Sequence, residues 1–349
     1  MAITIYEVAK KAGVGIGTVS RVLNNSSQIL PETRDRVLKV IKTLNYQPHA
    51  MAQGLARKKS LTIAALVPFF TGHFYIELLK GIQQAVSPHK YDLILYSIED
   101  SDNKDFYLKR VLQQRRVDGV VLASLPLSEQ YAKEFHRRKL PLVLVDMFHP
   151  EFDSITVNNQ AGAYLAAQHL VRLGHRRLAM ITGHLDCAPA QHRHRGFQKA
   201  LTEAGLKLPE NLMVSSDCLP GEASAINDGF NQDTGYLAMQ QLLALNGKRP
   251  TGVFIASDIQ ALGAMRAVRE SGLRIPDDLA IVGFDDIELA EYVGLTTMRQ
   301  PMFQMGIQAA ERLMALIDDP KSPRQHRRIA TELVIRESCG GNKSNGRAY

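Results

Sequence analysis

The sequence has few cysteines, no long apolar run and none of the short fingerprints that announce an enzyme, and each gap removes a class of function. Cys187, Cys218 and Cys339 are odd in number, widely spaced and free of any CxxC pair, which argues against a zinc or redox site and leaves ordinary thiols. No stretch approaches the roughly 20 apolar residues that a membrane span needs. The N-terminus has no signal-peptide hydrophobic region, so a cytoplasmic location without a membrane partner is expected. Walker, GxSxG and GxGxxG patterns are missing, because the glycine-bearing GVGIGTVS lies between two short helical stretches rather than after a strand. His192, Arg193 and His194 alternate instead of lying four apart, with no Cys or Glu beside them to complete a metal set. The expectation is no catalytic residue, no metal and no cofactor.

What the chain does have is unevenly placed charge. Residues 1–60 hold ten Lys/Arg (Lys10, Lys11, Arg21, Arg34, Arg36, Lys39, Lys42, Arg57, Lys58, Lys59) against Glu7, Glu32 and Asp35, which accounts for all of the net +7, and the remaining residues balance 32 basic against 32 acidic side chains. A polyanion is therefore a partner for the head and not for the body. With 349 residues, 45% of them apolar, the chain can form one or two well-cored domains.

The head reads as three short helices. Thr4-Ile5-Tyr6-Glu7 fits a capping box, and Val8, Ala9 and Ala12 make an apolar stripe that stops at Gly13, predicting a first helix over Ile5–Ala12. Beyond the Gly13-Val14-Gly15 turn, Val19, Val22 and Leu23 face inward while Thr18, Ser20 and Arg21 face outward. Two short helices across a glycine turn are a helix-turn-helix candidate. A third helix starts at Pro31 and carries Val37, Val40, Ile41 and Leu44 at i, i+3, i+4 and i+7.

From Leu61 onward, LTIAALVP, YDLILYS, VDGVVLAS and PLVLVDM, then RRLAMITG, TGVFIASD and LAIVGFDD, alternate with amphipathic helical stretches. That is a parallel α/β pattern occurring twice, expected to leave a ligand cleft between the carboxyl ends of two sheets. The loops after the strands, with Phe69, Phe70, His73, Phe74, Ser124, Asp146, Asp258 and Asp285, are where a ligand would be held. Asp285-Asp286 could pass for paired catalytic carboxylates and is read instead as strand-end hydrogen bonding and lobe closure.

The ordered motifs VAKKAGVGIGTVSRVLNN and PETRDRVLKVIKTLNYQPHAMAQGLA, followed by GAYLAAQHLVRLGHRR, RHRGF, SDIQALGAMRAVRESGLRIPDDLAIVGFDD and LTTMRQP, resemble the lactose-repressor (LacI/GalR) family over nearly the whole chain except the tail. The resemblance implies a fold: an N-terminal all-α helix-turn-helix head plus a two-lobed, periplasmic-binding-protein-like (type I) α/β effector domain. Expected boundaries are 1–47 for the head, 48–60 for a hinge helix and linker, 61–338 for the effector-binding and dimerisation domain with lobe crossovers near 158, 288 and 318, and 339–349 for a flexible tail. It implies an operator-binding transcriptional regulator, a homodimer on a palindromic duplex, that answers to a small-molecule effector of sugar or nucleoside class.

On the DNA side the family resemblance points to Thr4, Ile16, Gly17, Thr18, Ser20, Arg21, Asn24, Tyr46, His49 and Ala52, with Leu55 as a minor-groove wedge of the hinge. Effector contacts expected on the same footing are Phe69, His73, Phe74, Ser124, Asp146, Arg193, Phe230, Asp258 and Gln300. Two departures stand out. Ile16 and Gly17 occupy positions where base-reading side chains vary, so direct readout should be sparse, and Leu30 stands where a serine often caps the third helix. An alternative is a periplasmic-type ligand-binding protein without DNA function; an enzyme acting on sugars or nucleotides would need a nucleophile, base or metal set that the sequence does not offer.

Overall fold

A computed structural model describes residues 3–23, 26, 28–46, 59–68, 72–98, 101–113, 116–221, 227–245 and 249–341. The chain divides into two compact units, Met1–Leu61 and Thr62–Tyr349.

The first unit contains α1 (Ile5–Ala12), α2 (Ile16–Leu23) and α3 (Pro31–Leu44). At the start of α1 the Thr4 amide donates to the Glu7 carboxylate at 2.7 Å, while Gly13 closes the helix at φ 65°, a left-handed turn that costs glycine nothing. Val8, Ala9, Ala12, Val19, Val22 and Val37 form the buried centre, with Val40, Ile41 and Leu44 packed on it. So small a core leaves little reserve against a lost contact. Leu30 leaves α3 without a side-chain cap and is itself 73% exposed.

The second unit is built on two six-stranded sheets. Sheet one contains β1 (Thr62–Val67), β2 (Asp92–Ser97), β3 (Gly119–Ala123), β4 (Leu142–Val145), β5 (Asp153–Val157) and β11 (His326–Ile329), in the order β11-β5-β4-β3-β1-β2, parallel throughout. Sheet two contains β6 (Leu178–Thr182), β7 (Met213–Ser215), β8 (Gly252–Ile255), β9 (Ala280–Asp285), β10 (Thr296–Arg299) and β12 (Glu332–Val334), in the order β12-β10-β9-β8-β6-β7. Only its edge strand β12 runs antiparallel. The seven apolar runs of the sequence are β1 to β4, β6, β8 and β9; all but the edge strand β2, which is half-exposed, are buried almost continuously, as parallel strands covered by helices on both faces are. The short strands β5, β7, β10, β11 and β12 lack that apolar signature and emerge only from pairing.

The helices are α4 (His73–Val86), α5 (Ser101–Gln113), α6 (Glu129–Arg138), α7 (Asn159–Arg172), α8 (Ala188–Glu203), α9 (Gln232–Leu243), α10 (Asp258–Glu270), the short α11 (Glu288–Tyr292) and α12 (Met302–Asp318). Three pairs pack at backbone contact through glycine. A Cβ added at Gly81 of α4 would lie 2.0 Å from the Phe303 carbonyl, one at Gly196 of α8 2.0 Å from that of Gln160, and one at Gly263 of α10 1.9 Å from that of Gln232.

The chain crosses between lobes at Asn158, at Gln300-Pro301 and at Ala330-Thr331, so the crossovers expected near 288 and 318 are corrected. After 288 the chain stays in lobe two because β10 pairs in parallel with β9. It leaves only when Met305, Ala309, Ala310 and Leu313 of α12 join the core of lobe one. After 318 it stays in lobe one because buried Asp153 accepts from Arg312 and from the Gln325 amide at 3.0 Å, which seats β11 beside β5. The tail also begins later than 339: the Cys339 thiol is buried, 3.2 Å from His169 Nε2 and 3.1 Å from Thr296 Oγ1. The expected hinge lies mostly outside the described residues.

A β-carbon forced into the α9/α10 contact must separate the helices, so Gly263→Ala should lower the unfolding free energy by about 1–3 kcal/mol. Gly17 in α2 has nothing within 4 Å of an added Cβ, and Gly17→Ala should stabilise the head by up to about 1 kcal/mol. Urea titrations of the full chain and of residues 1–61 check the two signs.

Candidate functional site

Carboxyl ends of parallel strands converge on one cavity of about 590 Å³ inside the second unit. Ser124 follows β3, Asp146 follows β4 and Asp285 ends β9, and all three have positive φ, at 51°, 57° and 131°. These are conformations that L-residues adopt at a cost, and in a protein they collect where a side chain must be aimed. Here they stand on the cavity wall from both lobes. Gly72, His73 and Phe74 reach it from the start of α4, and Asp186, Cys187 and Arg193 from the loop after β6 and from α8. That loop is held by Asp217, which accepts from the Leu185 amide at 2.9 Å and lies 3.1 Å from His184 Nδ1.

Arg193 is 4% exposed. Its Nε donates to Asn159 Oδ1 at 2.8 Å and its Nη1 to the Ala256 carbonyl, while the guanidinium lies 3.9 Å from the centroid of the Phe284 ring. Asp146 Oδ2 accepts from the Ser124 hydroxyl at 3.2 Å. Asp285 Oδ1 accepts from Gln300 Nε2 at 2.5 Å. Burial pushes both carboxyls up to about 6, against the opposing pull of Arg193. Burial also raises the phenol of Tyr75, which is hydrogen-bonded to Ser124.

Seven of the expected effector residues therefore share one wall: His73, Phe74, Ser124, Asp146, Arg193, Phe230 and Gln300. Phe69 lies outside the described residues. Asp258 is a correction. It is fully buried behind the wall, where its carboxylate accepts from the Ile287 amide at 3.1 Å and from Thr297 Oγ1 at 2.6 Å. The residue before it, Ser257, caps α10 and faces the cavity, so the one-residue offset turns Asp258 towards β10. Burial, then the neighbouring Asp285 charge, push Asp258 up to about 8. The neighbouring Asp286 pairs with Arg299 at 2.6 Å and Arg336 at 2.7 Å.

Beyond the loops singled out in the sequence, the structure adds Tyr75, Asp186, Cys187, Asp228 and Ile287. Asp228 lies in the connection between β7 and α9, and no periodicity marks it.

In the head, Ile16, Gly17 and Arg21 are exposed on α2 and Thr18 and Ser20 half-buried, with Thr4 exposed at the start of α1. Tyr46 packs against the head's core. Tyr6 is 69% exposed, an aromatic left in solvent that the sequence pattern had not flagged. Asn24, His49, Ala52 and Leu55 lie outside the described residues.

A small helical unit that holds the chain's net charge, joined to a two-lobed domain with an internal cavity, is the build of a ligand-responsive DNA-binding regulator. Likeness to known proteins narrows this. Residues 4–49 match the profile described as bacterial regulatory proteins, lacI family, and residues 167–339 that of a periplasmic binding protein-like domain. Catabolite control protein A of Priestia megaterium is 33% identical over 319 residues, 90% of this chain and 92% of that protein. A lac repressor dimer bound to operator and the anti-inducer ONPF superposes with a TM-score of 0.82 at 29% identity, covering 97% of this chain and 99% of that one. A complex of the transcriptional regulator CelR with cellobiose gives 0.71 at 31% identity, covering 96% and 99%. The chain belongs to the LacI family of bacterial transcriptional regulators; it is a DNA-binding regulator and not an enzyme. No described helix is long and apolar enough to cross a membrane.

Removing Arg193 would orphan Asn159 Oδ1 and the Ala256 carbonyl, so Arg193→Ala should destabilise the body by about 1–3 kcal/mol. Asp146 titrates higher in the folded state than unfolded, so its contribution to stability is full below pH 4 and is lost as pH rises through about 6. Asp146→Asn should raise the melting temperature of the ligand-free protein by a few degrees at pH 8 and by less at pH 4.5. Scanning calorimetry at both values reads the difference.

Proposed function

We propose that the protein is a repressor that binds a palindromic operator as a homodimer in the cytoplasm, and whose affinity for that operator is set by a sugar-sized effector in the cavity between the lobes. The observation that carries this reading is the cavity itself. It has walls from both lobes, polar groups at the ends of β3, β4 and β9, and Phe74 and Phe230 to lie against an apolar ligand face. The CelR complex with cellobiose and the operator complex of the lac repressor support the two halves of the reading.

On the DNA side, α2 presents Ile16, Gly17, Thr18, Ser20 and Arg21 to the major groove. Arg21 can fork onto guanine O6 and N7, Ile16 can meet a thymine methyl, and Gly17 lets the backbone approach closely. Thr4 and Tyr6 at the start of α1 reach phosphates. Residues His49, Ala52 and Leu55 belong to the hinge, where Leu55 would wedge the minor groove; a segment so short needs DNA and a partner hinge to stay helical. Effector contacts are assigned to His73, Phe74, Ser124, Asp146, Arg193, Phe230, Asp285 and Gln300. Asp258 is a positioning residue that holds the Ile287 loop.

Because the ligand can act only through a difference in affinity between lobe arrangements, Ser124→Ala and Phe74→Ala should lose the operator response to effector while retaining operator binding. Deleting residues 1–60 should abolish DNA binding, and full-length binding should weaken steeply with salt. Mobility-shift titrations at two salt concentrations test both. A truncated body that binds DNA as tightly as the full chain would overturn the assignment of DNA binding to the head.

A further inference from the structure

The charge of the cavity wall says which compounds it can hold, an inference that rests on the effector reading above. Among the described residues, four carboxylates, Asp146, Asp186, Asp228 and Asp285, face it against one guanidinium, Arg193, and the imidazole of His73. Arg193 already commits Nε and Nη1 to protein acceptors. Gln300 is 4% exposed; its Nε2 donates to Asp285, and its buried Oε1 has no hydrogen-bond partner. The wall thus carries an excess of acceptors and of negative charge. A buried acceptor without a donor is costly, and Gln300 Oε1 can be satisfied only by a molecule that donates. An anion entering the same space would add like charge to Asp146 and Asp285, which burial already deprives of water, and to the exposed Asp186 and Asp228.

We propose that the cavity selects its effector by charge: it takes a free polyhydroxyl compound, or the amino derivative of one, and rejects the phosphorylated or carboxylate form of the same skeleton. Hydroxyl or ammonium donors meet Gln300 Oε1 and the oxygens of Asp146 and Asp285, while a phosphate would face four carboxylates with one half-committed arginine to offset them. The protein then senses a substrate before a kinase or an aldehyde-oxidising enzyme has given it a negative charge. The pKa values of Asp146 and Asp285, held near 6 by burial, agree with a wall that already resists negative charge.

Cys187 lines this cavity and is half-buried, so its modification reports on the wall whichever ligand the cavity takes. Full-length Cys218→Ser protein is treated at pH 8 with a cationic trimethylammonium-ethyl methanethiosulfonate or its anionic sulfonatoethyl counterpart, and modification of Cys187 is followed by peptide mass spectrometry. Rates are normalised to exposed Cys218 in the Cys187→Ser protein. The cationic reagent should be faster by about tenfold or more, and the ratio should fall in Asp146→Asn and Asp285→Asn. Equal rates, or a faster anionic reagent, in the Cys218→Ser protein alone would overturn the proposal.

The second arm measures melting temperature with ribose and ribose 5-phosphate, glucosamine and glucosamine 6-phosphate, and cellobiose. A free compound that raises it and shields Cys187, with its phosphate inert, is the expected result. A phosphate that raises it and shields Cys187 defeats the charge rule but leaves the cavity as the effector site. A compound that raises it with Cys187 unshielded moves the effector elsewhere and defeats both readings. If none of the five binds, the reagent ratio alone decides.

Discussion

The body is organised around a buried cation in the cavity wall. Arg193 projects from α8, and its guanidinium is gripped at three places: by Asn159 at the first crossover, by the Ala256 carbonyl just past β8, and by the face of Phe284 in β9. A charge this deep is tolerated only where donors and opposite charge compensate it. Asp285 from the same lobe and Asp146 from the other supply that charge. The result is a fixed point at which both lobes and a crossover strand sense one another, and it is also part of the cavity wall. A ligand that alters the balance around Arg193 therefore acts on the group that relates one lobe to the other.

Around that point the lobes are stiff. Helices pack in pairs through glycine at backbone distance, in α4 with α12, α7 with α8 and α9 with α10. Each sheet is covered on both faces by apolar clusters. Close-packed layers resist deformation, so the freedom that remains lies in the crossovers at 158, 300–301 and 330–331. Gln300, whose side chain meets Asp285 in the cavity, sits on the second of them, and Asn158 and Asn159 stand at the first. On the proposed effector reading, sensing and lobe movement would share residues, which would let a small ligand bias a large unit.

The head follows a different logic. Its core is small, its helices are short, and its excess charge has no counterpart in its own fold. The exposed face of α2 has one long cation, Arg21, and beside it a glycine and an isoleucine, a surface suited to phosphate contact and shape more than to a dense set of base contacts. Affinity for DNA and sensitivity to ligand thus reside in separate units whose charges differ sharply.

Much of this is written in the sequence. The net charge of residues 1–60, the three helix periodicities of the head, the seven apolar runs and the ordered motifs are one-dimensional signals, because helix faces and buried parallel strands impose a local period on residue type. They determined the class of protein, the two-unit division and seven of the nine expected cavity residues. Other features depend on partners distant in the chain. Asp153 meets Arg312, Asp258 meets Thr297, and β11 meets β5 only after folding. Those meetings set where the chain changes lobe and turned Asp258 away from the cavity. Such choices were settled by tertiary structure, since a buried carboxylate goes to whichever donors the finished fold brings within hydrogen-bond reach, and no local pattern encodes that distance.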